Sequence, residues 1–135
     1  MKITLLTVVI MAICFISFAF KPDGKTKKPW NAPDKFAKMP SKAKGDAAAL
    51  KNGKELYSKH CQSCHGKKGI GDGPKSAELK TEPGDFTANA FQSQSDGSIF
   101  YKVSEGRDDM PSFKKKIPDQ DDIWSIVAYV RTLKK

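Results

Sequence analysis

The sequence predicts an all-α domain of short helices joined by long loops, and two observations lead to this fold class. Apolar residues recur at helical spacing in three segments, residues 46–60, 95–105 and 119–135. No segment alternates apolar and polar residues for long enough to indicate a strand. Loops of this length are unusual where side chains alone fill the core, so we expect another group to occupy it.

The helices are placed by local signals. The first, over 46–60, contains Gly53, which destabilises a helix and therefore indicates a close approach of another backbone. The second, over 95–105, ends before Gly106. The third begins at the capping residue Asp119, with acidic residues in its first turn, and its predicted buried stripe consists of Ile123, Ile126, Val127 and Val130.

Composition and charge indicate one domain with a basic surface. The 135 residues are 39% hydrophobic and 29% charged, which is typical of a single soluble core. Lys and Arg outnumber Asp and Glu by 24 to 15, so the formal net charge is +9. Such a charge favours acidic proteins, anionic lipid or nucleic acid as partners without choosing among them.

Residues 1–19 are predicted to be a signal peptide or an N-terminal membrane anchor. The apolar run over 3–20 is 18 residues long, at the lower limit for spanning a bilayer. We favour cleavage, because Ser17 and Ala19 are small residues at the spacing that signal peptidase reads. We interpret Cys14 as part of the apolar segment, since the bulky residue before it does not suit lipidation.

Residues 20–45 are rich in Lys and Pro and show no apolar face at helical spacing. Prolines at this density favour extended backbone, so the segment is predicted to be a flexible, basic tether. The alternative is a disordered extension that contributes only solubility. The folded domain is then predicted to cover residues 46–135.

The segment CQSCH, residues 61–65, indicates a covalent haem site. A zinc site needs four ligands, and the cluster offers its candidates too close together in sequence to complete one tetrahedron easily. A thiol-disulfide oxidoreductase would carry its CxxC after a strand of an α/β sheet. In covalent haem attachment, the thiols of Cys61 and Cys64 add to the two vinyl groups and His65 binds the iron. Export and the absence of further cysteines from the mature chain support haem c.

A bound haem would fill the core that the long loops leave. The segment HGKKGIGDGP, residues 65–74, is predicted to pass close over one face of the haem, because glycine permits a tight backbone path at Gly66, Gly69, Gly71 and Gly73. The carbonyl of Pro74 is predicted to accept a hydrogen bond from the second ring nitrogen of His65 and so to fix the orientation of the imidazole.

Two methionines are candidates for the sixth iron ligand, and both occur in the tripeptide MPS. We favour Met110, because its loop lies inside the domain between the last two predicted helices, whereas Met39 lies in the tether. His60 is adjacent to Cys61 and is expected to point elsewhere. The alternative for Met110 is a loop or core methionine beside an open iron.

Taken in order, the motifs of residues 46–135 resemble those of the class I monohaem c-type cytochromes: Gly53 and Tyr57 ahead of CQSCH, then HGKKGIGDGP, SEGRDDMPSF and DIWSIVAYVRTL. The resemblance implies the cytochrome c fold, with three to five short helices and loops wrapped around one haem c, and His65 and Met110 as axial ligands. It also implies contact between the first and last helices through Gly53, Tyr57, Ile126 and Tyr129. The lysine-rich tether departs from the family pattern.

The predicted function is one-electron transfer without bond chemistry, and the resemblance to bacterial carriers implies a respiratory oxidase or reductase as the partner. We expect a monomer in the periplasm or on the outer face of the inner membrane, where residues 3–20 would provide any membrane association and export excludes nucleic acid. A basic rim is predicted to steer the protein onto an acidic docking surface of its redox partner, and consists of Lys67, Lys68, Lys75, Lys114, Lys115 and Lys116. The alternatives are a haem sensor or weak peroxidase with labile Met110, and a fixed subunit of a membrane complex.

Overall fold

The computed structural model describes residues 29–135, and the predictions for residues 1–28 lie outside that range. The described chain contains six α-helices and one 3-10 helix, and it has no β-strand. The helices are α1 (Asp34–Ala37), α2 (Ala47–His60), α3 (Gln62–His65), the 3-10 helix (Ser76–Glu78), α4 (Asn89–Gln92), α5 (Asp96–Glu105) and α6 (Gln120–Arg131). None of these helices has the length and apolar character needed to cross a bilayer. The predicted all-α fold is confirmed.

Helices α2 and α6 pack against each other at the glycine that the sequence singled out. A Cβ atom at Gly53 would collide with the carbonyl oxygen of Ser125, so only glycine allows this approach of the two backbones. The Tyr57 ring lies 5.1 Å from the Tyr129 ring, between centroids. The amide of Asn52 donates a hydrogen bond to a carboxylate oxygen of Asp122 at 2.7 Å. The predicted contact between the first and last helices is therefore present.

The predicted buried stripe of α6 lies in the core, together with a tryptophan. Trp124 has no exposed surface, and its ring stacks on Phe100 of α5 with 4.5 Å between centroids and 23° between planes. All four stripe residues are at most 3% exposed: Ile123, Ile126, Val127 and Val130. Because aromatic side chains bury the largest apolar area, the Phe100 and Trp124 pair is a main contact between α5 and α6.

The three long helices begin at short polar residues that cap them. Asp46 accepts hydrogen bonds from the backbone amides of residues 48 and 49 at 2.8 and 3.1 Å. Ser95 accepts from the amide of residue 98, and Asp119 accepts from the amide of residue 121. These bonds satisfy amides that a helix start otherwise leaves unpaired, and they fix where each helix begins.

The predicted tether needs correction from residue 29 onward, because residues 29–45 pack against the domain as a strap. The strap contains α1, whose Phe36 ring lies 5.0 Å from the Tyr101 ring of α5. A Cβ atom at Gly97 would collide with the carbonyl oxygen of Phe36, so the strap backbone reaches α5 directly. Ala43 is 5% exposed and belongs to the core.

The physical reason for this difference lies in a few apolar residues among many lysines. The side chains of Phe36, Met39 and Ala43 contact the core, while the lysines between them remain exposed. Pro33 precedes the first turn of α1, a position that proline tolerates because the first amides of a helix have no partner within it. The overall Lys and Pro content therefore gave no indication that residues 36–43 have an apolar side that packs on the core.

Candidate functional site

A cavity of about 330 Å³ lies between the end of α2, helix α5, helix α6 and the loops around them. This volume is within the range of small-molecule binding pockets. Most of its wall is apolar, and the apolar lining comprises Tyr57, Leu79, Pro83, Phe86, Phe91, Ile99, Val103, Met110, Pro111, Phe113, Ile126 and Val130. Such a lining suits a large apolar group with a few polar attachment points.

Cys61, Cys64 and His65 enter the wall of this cavity from one turn of chain. The amide of Cys61 continues the α2 ladder by donating to the carbonyl of Tyr57 at 2.9 Å, and the amide of His65 donates to the carbonyl of Cys61 at 2.9 Å. Neither cysteine forms a disulfide. Burial, and to a smaller extent Cys64, raises the pKa of the Cys61 thiol to about 12, so Cys61 is a neutral thiol near neutral pH.

The His65 imidazole is held neutral inside the wall. It is 8% exposed, and its ring stacks on Phe86 with 4.3 Å between centroids and 24° between planes. Burial lowers its pKa to about 4, because the charged form would be removed from water. Its Nδ1 atom is buried and has no hydrogen-bond partner among residues 29–135. A neutral imidazole with such an environment is the form that binds a metal.

The predicted hydrogen bond from His65 to the Pro74 carbonyl is absent from the structure. Pro74 is exposed and lies outside the cavity wall. The loop around it bonds to α3 instead: the amide of Gly73 donates to the carbonyl of Cys64 at 3.2 Å, and the amide of Lys75 donates to that of Ser63 at 2.9 Å. These backbone bonds fix the loop beside the cysteine helix, while the imidazole packs on Phe86.

The glycine-rich loop after His65 returns tightly, as the sequence predicts. Gly66 has a φ of +78°, which L side chains rarely adopt, and its carbonyl accepts a hydrogen bond from the buried Tyr57 hydroxyl at 2.7 Å. The carbonyl of Gly69 accepts from the amide of Phe86 at 2.7 Å. The loop therefore positions the aromatic ring on which His65 stacks.

Met110 lines the same cavity from a tight loop between α5 and α6. Arg107 and Met110 exchange two backbone hydrogen bonds, at 2.8 and 2.9 Å. Gly106 has a φ of +66°, and a Cβ atom there would collide with the backbone that follows Met110. Met39 lies beside Gly97, outside the cavity wall. The structure thus places Met110 on the wall of the cavity that the cysteine cluster also lines, and Met39 does not line it.

Several wall residues were not assigned to the cavity by the sequence analysis, among them His60, Phe86 and Trp30. His60 was expected to point elsewhere, but it borders the cavity, with its ring 6.0 Å from that of Phe113. Phe86 was given no role in the sequence analysis, and Trp30 was placed in the predicted tether. Their places depend on contacts between distant segments, for which the sequence has no periodic signal.

Comparison with known proteins identifies the family. The family described as cytochrome c oxidase, cbb3-type, subunit III matches residues 48–130. Cytochrome c6 of Thermosynechococcus vestitus is 32% identical over 84 residues, which cover 62% of this chain and 70% of that protein. The values for cytochrome c6 of Thermostichus vulcanus are the same. The chain belongs to the monohaem c-type cytochromes.

Solved structures similar to this cytochrome agree with that assignment. The KustC0563 c-type cytochrome is 30% identical with a TM-score of 0.55, and the match covers 62% of this cytochrome and 98% of that chain. A chain of the Kuenenia stuttgartiensis reducing HAO-like protein complex Kustc0457/Kustc0458 is 27% identical with a TM-score of 0.64. That match covers 82% of this cytochrome and 53% of the other chain.

The cytochrome carries haem c and transfers electrons, as its family does. The described residues fit this cofactor. Two thiols and a buried neutral imidazole lie on one part of the cavity wall, a thioether lies elsewhere on it, and most of the remaining lining is apolar. Family membership also removes the zinc and thiol-disulfide interpretations of CQSCH.

Proposed function

We propose that this cytochrome accepts and donates one electron at a time through a haem that Cys61 and Cys64 would hold covalently, with His65 and Met110 as the side chains that would bind its iron. The observation that carries the proposal is that all four side chains line one largely apolar cavity. The protein catalyses no bond chemistry in this function. Bound haem supplies an iron whose ferric and ferrous states differ by one electron.

The side chains of the chain have separate tasks in this function. Cys61 and Cys64 would hold the haem covalently: each sulfur would form a thioether with one vinyl group, and the thiol hydrogen would go to the other vinyl carbon. Phe86 holds the His65 ring in place by stacking, and burial keeps that ring neutral. The Met110 thioether is a soft, uncharged donor that favours the ferrous state when packing holds it in position.

The docking surface proposed for a redox partner is the basic rim. Its six lysines are all exposed in the structure: Lys67, Lys68, Lys75, Lys114, Lys115 and Lys116. Lys114 also pairs with Glu105 at 2.7 Å, which reduces the contribution of Lys114 to the positive charge of the rim. An acidic surface on an oxidase or reductase, in the periplasm or at the outer face of the inner membrane, would complement this rim and give fast, salt-sensitive association.

A fixed subunit of a larger complex is the second candidate. The matching family is described as an oxidase subunit, and one similar structure is a chain of a protein complex. Co-purification from native membranes at low and high salt separates the two candidates. A diffusing carrier is recovered alone, whereas a subunit is recovered with its complex at both salt concentrations.

Visible absorption of the oxidised and reduced protein tests the ligand set. We expect a low-spin spectrum, with a weak sulfur-to-iron charge-transfer band in the ferric state. Met110→Leu should abolish that band and allow carbon monoxide to bind the reduced iron. Met39→Leu is the matched control, because this methionine occupies the same tripeptide outside the cavity, and it should leave both properties unchanged.

Two results would contradict the proposal. A high-spin wild-type protein that binds carbon monoxide would favour the sensor or weak peroxidase. Loss of the charge-transfer band in Met39→Leu, with the band retained in Met110→Leu, would assign the sixth ligand to the strap.

A further inference from the structure

Trp30 of the strap forms part of the cavity wall, next to two cationic side chains. Its half-buried ring lies 4.6 Å from the guanidinium carbon of Arg107 and 5.6 Å from the Nζ of Lys102. Both distances are within the range of cation–π attraction. All three side chains line the cavity. The aromatic ring therefore lies where the apolar wall meets charged groups.

Backbone contacts as well as the ring hold Trp30 in this position. The Arg107 guanidinium donates a hydrogen bond to the carbonyl of Pro29 at 3.0 Å. Farther along the strap, Phe36 packs on Tyr101 and its backbone lies against Gly97. Arg107 is also the backbone partner of Met110. Arg107 thus connects the loop of Met110, the proposed sixth ligand, with the start of the strap.

The surroundings of the ring are partly withdrawn from water. Burial, followed by the charge of Arg107, lowers the pKa of Lys102, whose ammonium group donates to the side-chain carbonyl of Gln94. The charge of Arg107 is partly balanced by Asp108, 3.4 Å away. The Trp30 ring itself carries no charge, so the way in which it can act on a group in the cavity is by excluding water.

We propose that Trp30 covers the side of the haem cavity at Arg107 and, by excluding water there, raises the reduction potential of the cytochrome. The inference rests on the proposed function, which places haem in this cavity. Ferric haem carries one more positive charge than ferrous haem, so loss of contact with water destabilises the ferric state more. Trp30 is a positioning residue, since it acts on the surroundings of the haem and ligates no iron.

Potentiometric titration of the full haem-loaded protein, with Trp30→Ala and Trp30→Phe, tests this inference. At a fixed ambient potential, Trp30→Ala should lower the ferrous-to-ferric ratio by roughly threefold or more, which is about 30 mV for one electron. Trp30→Phe should restore most of the ratio, because it keeps an apolar ring. The low-spin spectrum should remain unchanged in both variants. Lys38→Ala, an exposed change in the same strap, is the control and should titrate as wild type.

The outcomes separate this inference from the proposed function. A normal low-spin wild type, with Trp30→Ala folded and unchanged in potential, overturns the role of Trp30 and leaves the electron carrier intact. An equal shift in Lys38→Ala overturns it too, since the effect would then not be local to the ring. If Trp30→Ala does not fold, Trp30→Gln replaces it, and the same fall in ratio is required. A wild type without a reversible one-electron titration overturns both.

Discussion

Two sides of helix α6 pack in different ways. On one side, Trp124 and Val127 have no exposed surface, and Trp124 stacks on Phe100. On the other side, Ile126 and Val130 face the haem cavity, whose remaining wall comes from loops, from α2 and α5, and from Trp30 of the strap. The first side is filled by side chains alone, whereas the second presents apolar side chains to a cofactor. The same helix therefore serves as scaffold and as binding wall.

This difference assigns separate energetic tasks to the two regions. Changes in the scaffold, where α2, α5 and α6 meet, are expected to lower the free energy of unfolding and leave the haem properties unchanged. Changes in the cavity wall are expected to alter the reduction potential or the spectrum and to have smaller effects on stability. Substitutions in each region test this division, and the free energy of unfolding of the haem-loaded protein is measured for all of them.

The largest effect is expected from Gly53→Val in the scaffold. A side chain at Gly53 would collide with the Ser125 carbonyl, and relief requires that the backbones of α2 and α6 separate. We expect a loss of about 5 kcal/mol or more in the free energy of unfolding, or no folded protein. The control is Gly45→Ala, where no atom lies within 4 Å but φ is +80°, and its cost should be about 1 to 2 kcal/mol. Similar losses in the two variants would refute the close approach.

A pair of aromatic substitutions compares the two regions directly. Trp124→Ala should lower the free energy of unfolding by about 3 to 4 kcal/mol, because it empties a fully buried site. Phe86→Ala removes a half-buried ring and should cost less, at about 1 to 2 kcal/mol. Only Phe86→Ala should shift the reduction potential, since Phe86 supports the His65 ring. Denaturant titration and redox titration of both variants check this, and a potential shift confined to Trp124→Ala would reverse the assignment.

The scaffold and the cysteine cluster could be predicted because their signals are local. The α5 helix, Asp96–Glu105, begins one residue after the predicted start and ends where Gly106 predicts. Gly53 predicted the contact between α2 and α6, and CQSCH predicted which residues form one part of the cavity wall. The position of Met110 between the last two predicted helices was enough to predict that Met110, and not Met39, lies at the cavity. In each case, the prediction needed only the type of a residue and its position relative to its neighbours in the sequence.

The strap and the environment of His65 could not be predicted, because they depend on contacts between distant segments. The cover formed by Trp30 requires Arg107 and the packing of Phe36 on α5, and no periodicity connects these positions. The high Lys and Pro content predicted a flexible tether instead. Residue spacing did not indicate that the His65 ring would stack on Phe86 rather than hydrogen-bond to the carbonyl of Pro74.

The smallest effect is expected where the two regions meet, at the pair of Arg131 and Asp96. The Arg131 guanidinium lies 2.6 Å from a carboxylate oxygen of Asp96 and also donates to the carbonyl of Gln92, so α6 is connected to α5 and to the last residue of α4. Both side chains of the pair are about one quarter exposed, so solvent weakens their attraction.

Asp96→Asn keeps the shape of this side chain and removes its charge. We expect a loss of about 1 kcal/mol in the free energy of unfolding, because Arg131 retains its backbone acceptors. The reduction potential should remain unchanged, since neither side chain lines the cavity. Parallel denaturant and redox titrations measure both quantities. The control is Asp34→Asn, which removes the charge from an exposed ion pair with Lys38 and should change neither quantity. A shift in potential from Asp96→Asn would show that the scaffold tunes the haem through α6, and the division between the two regions would then fail at their boundary.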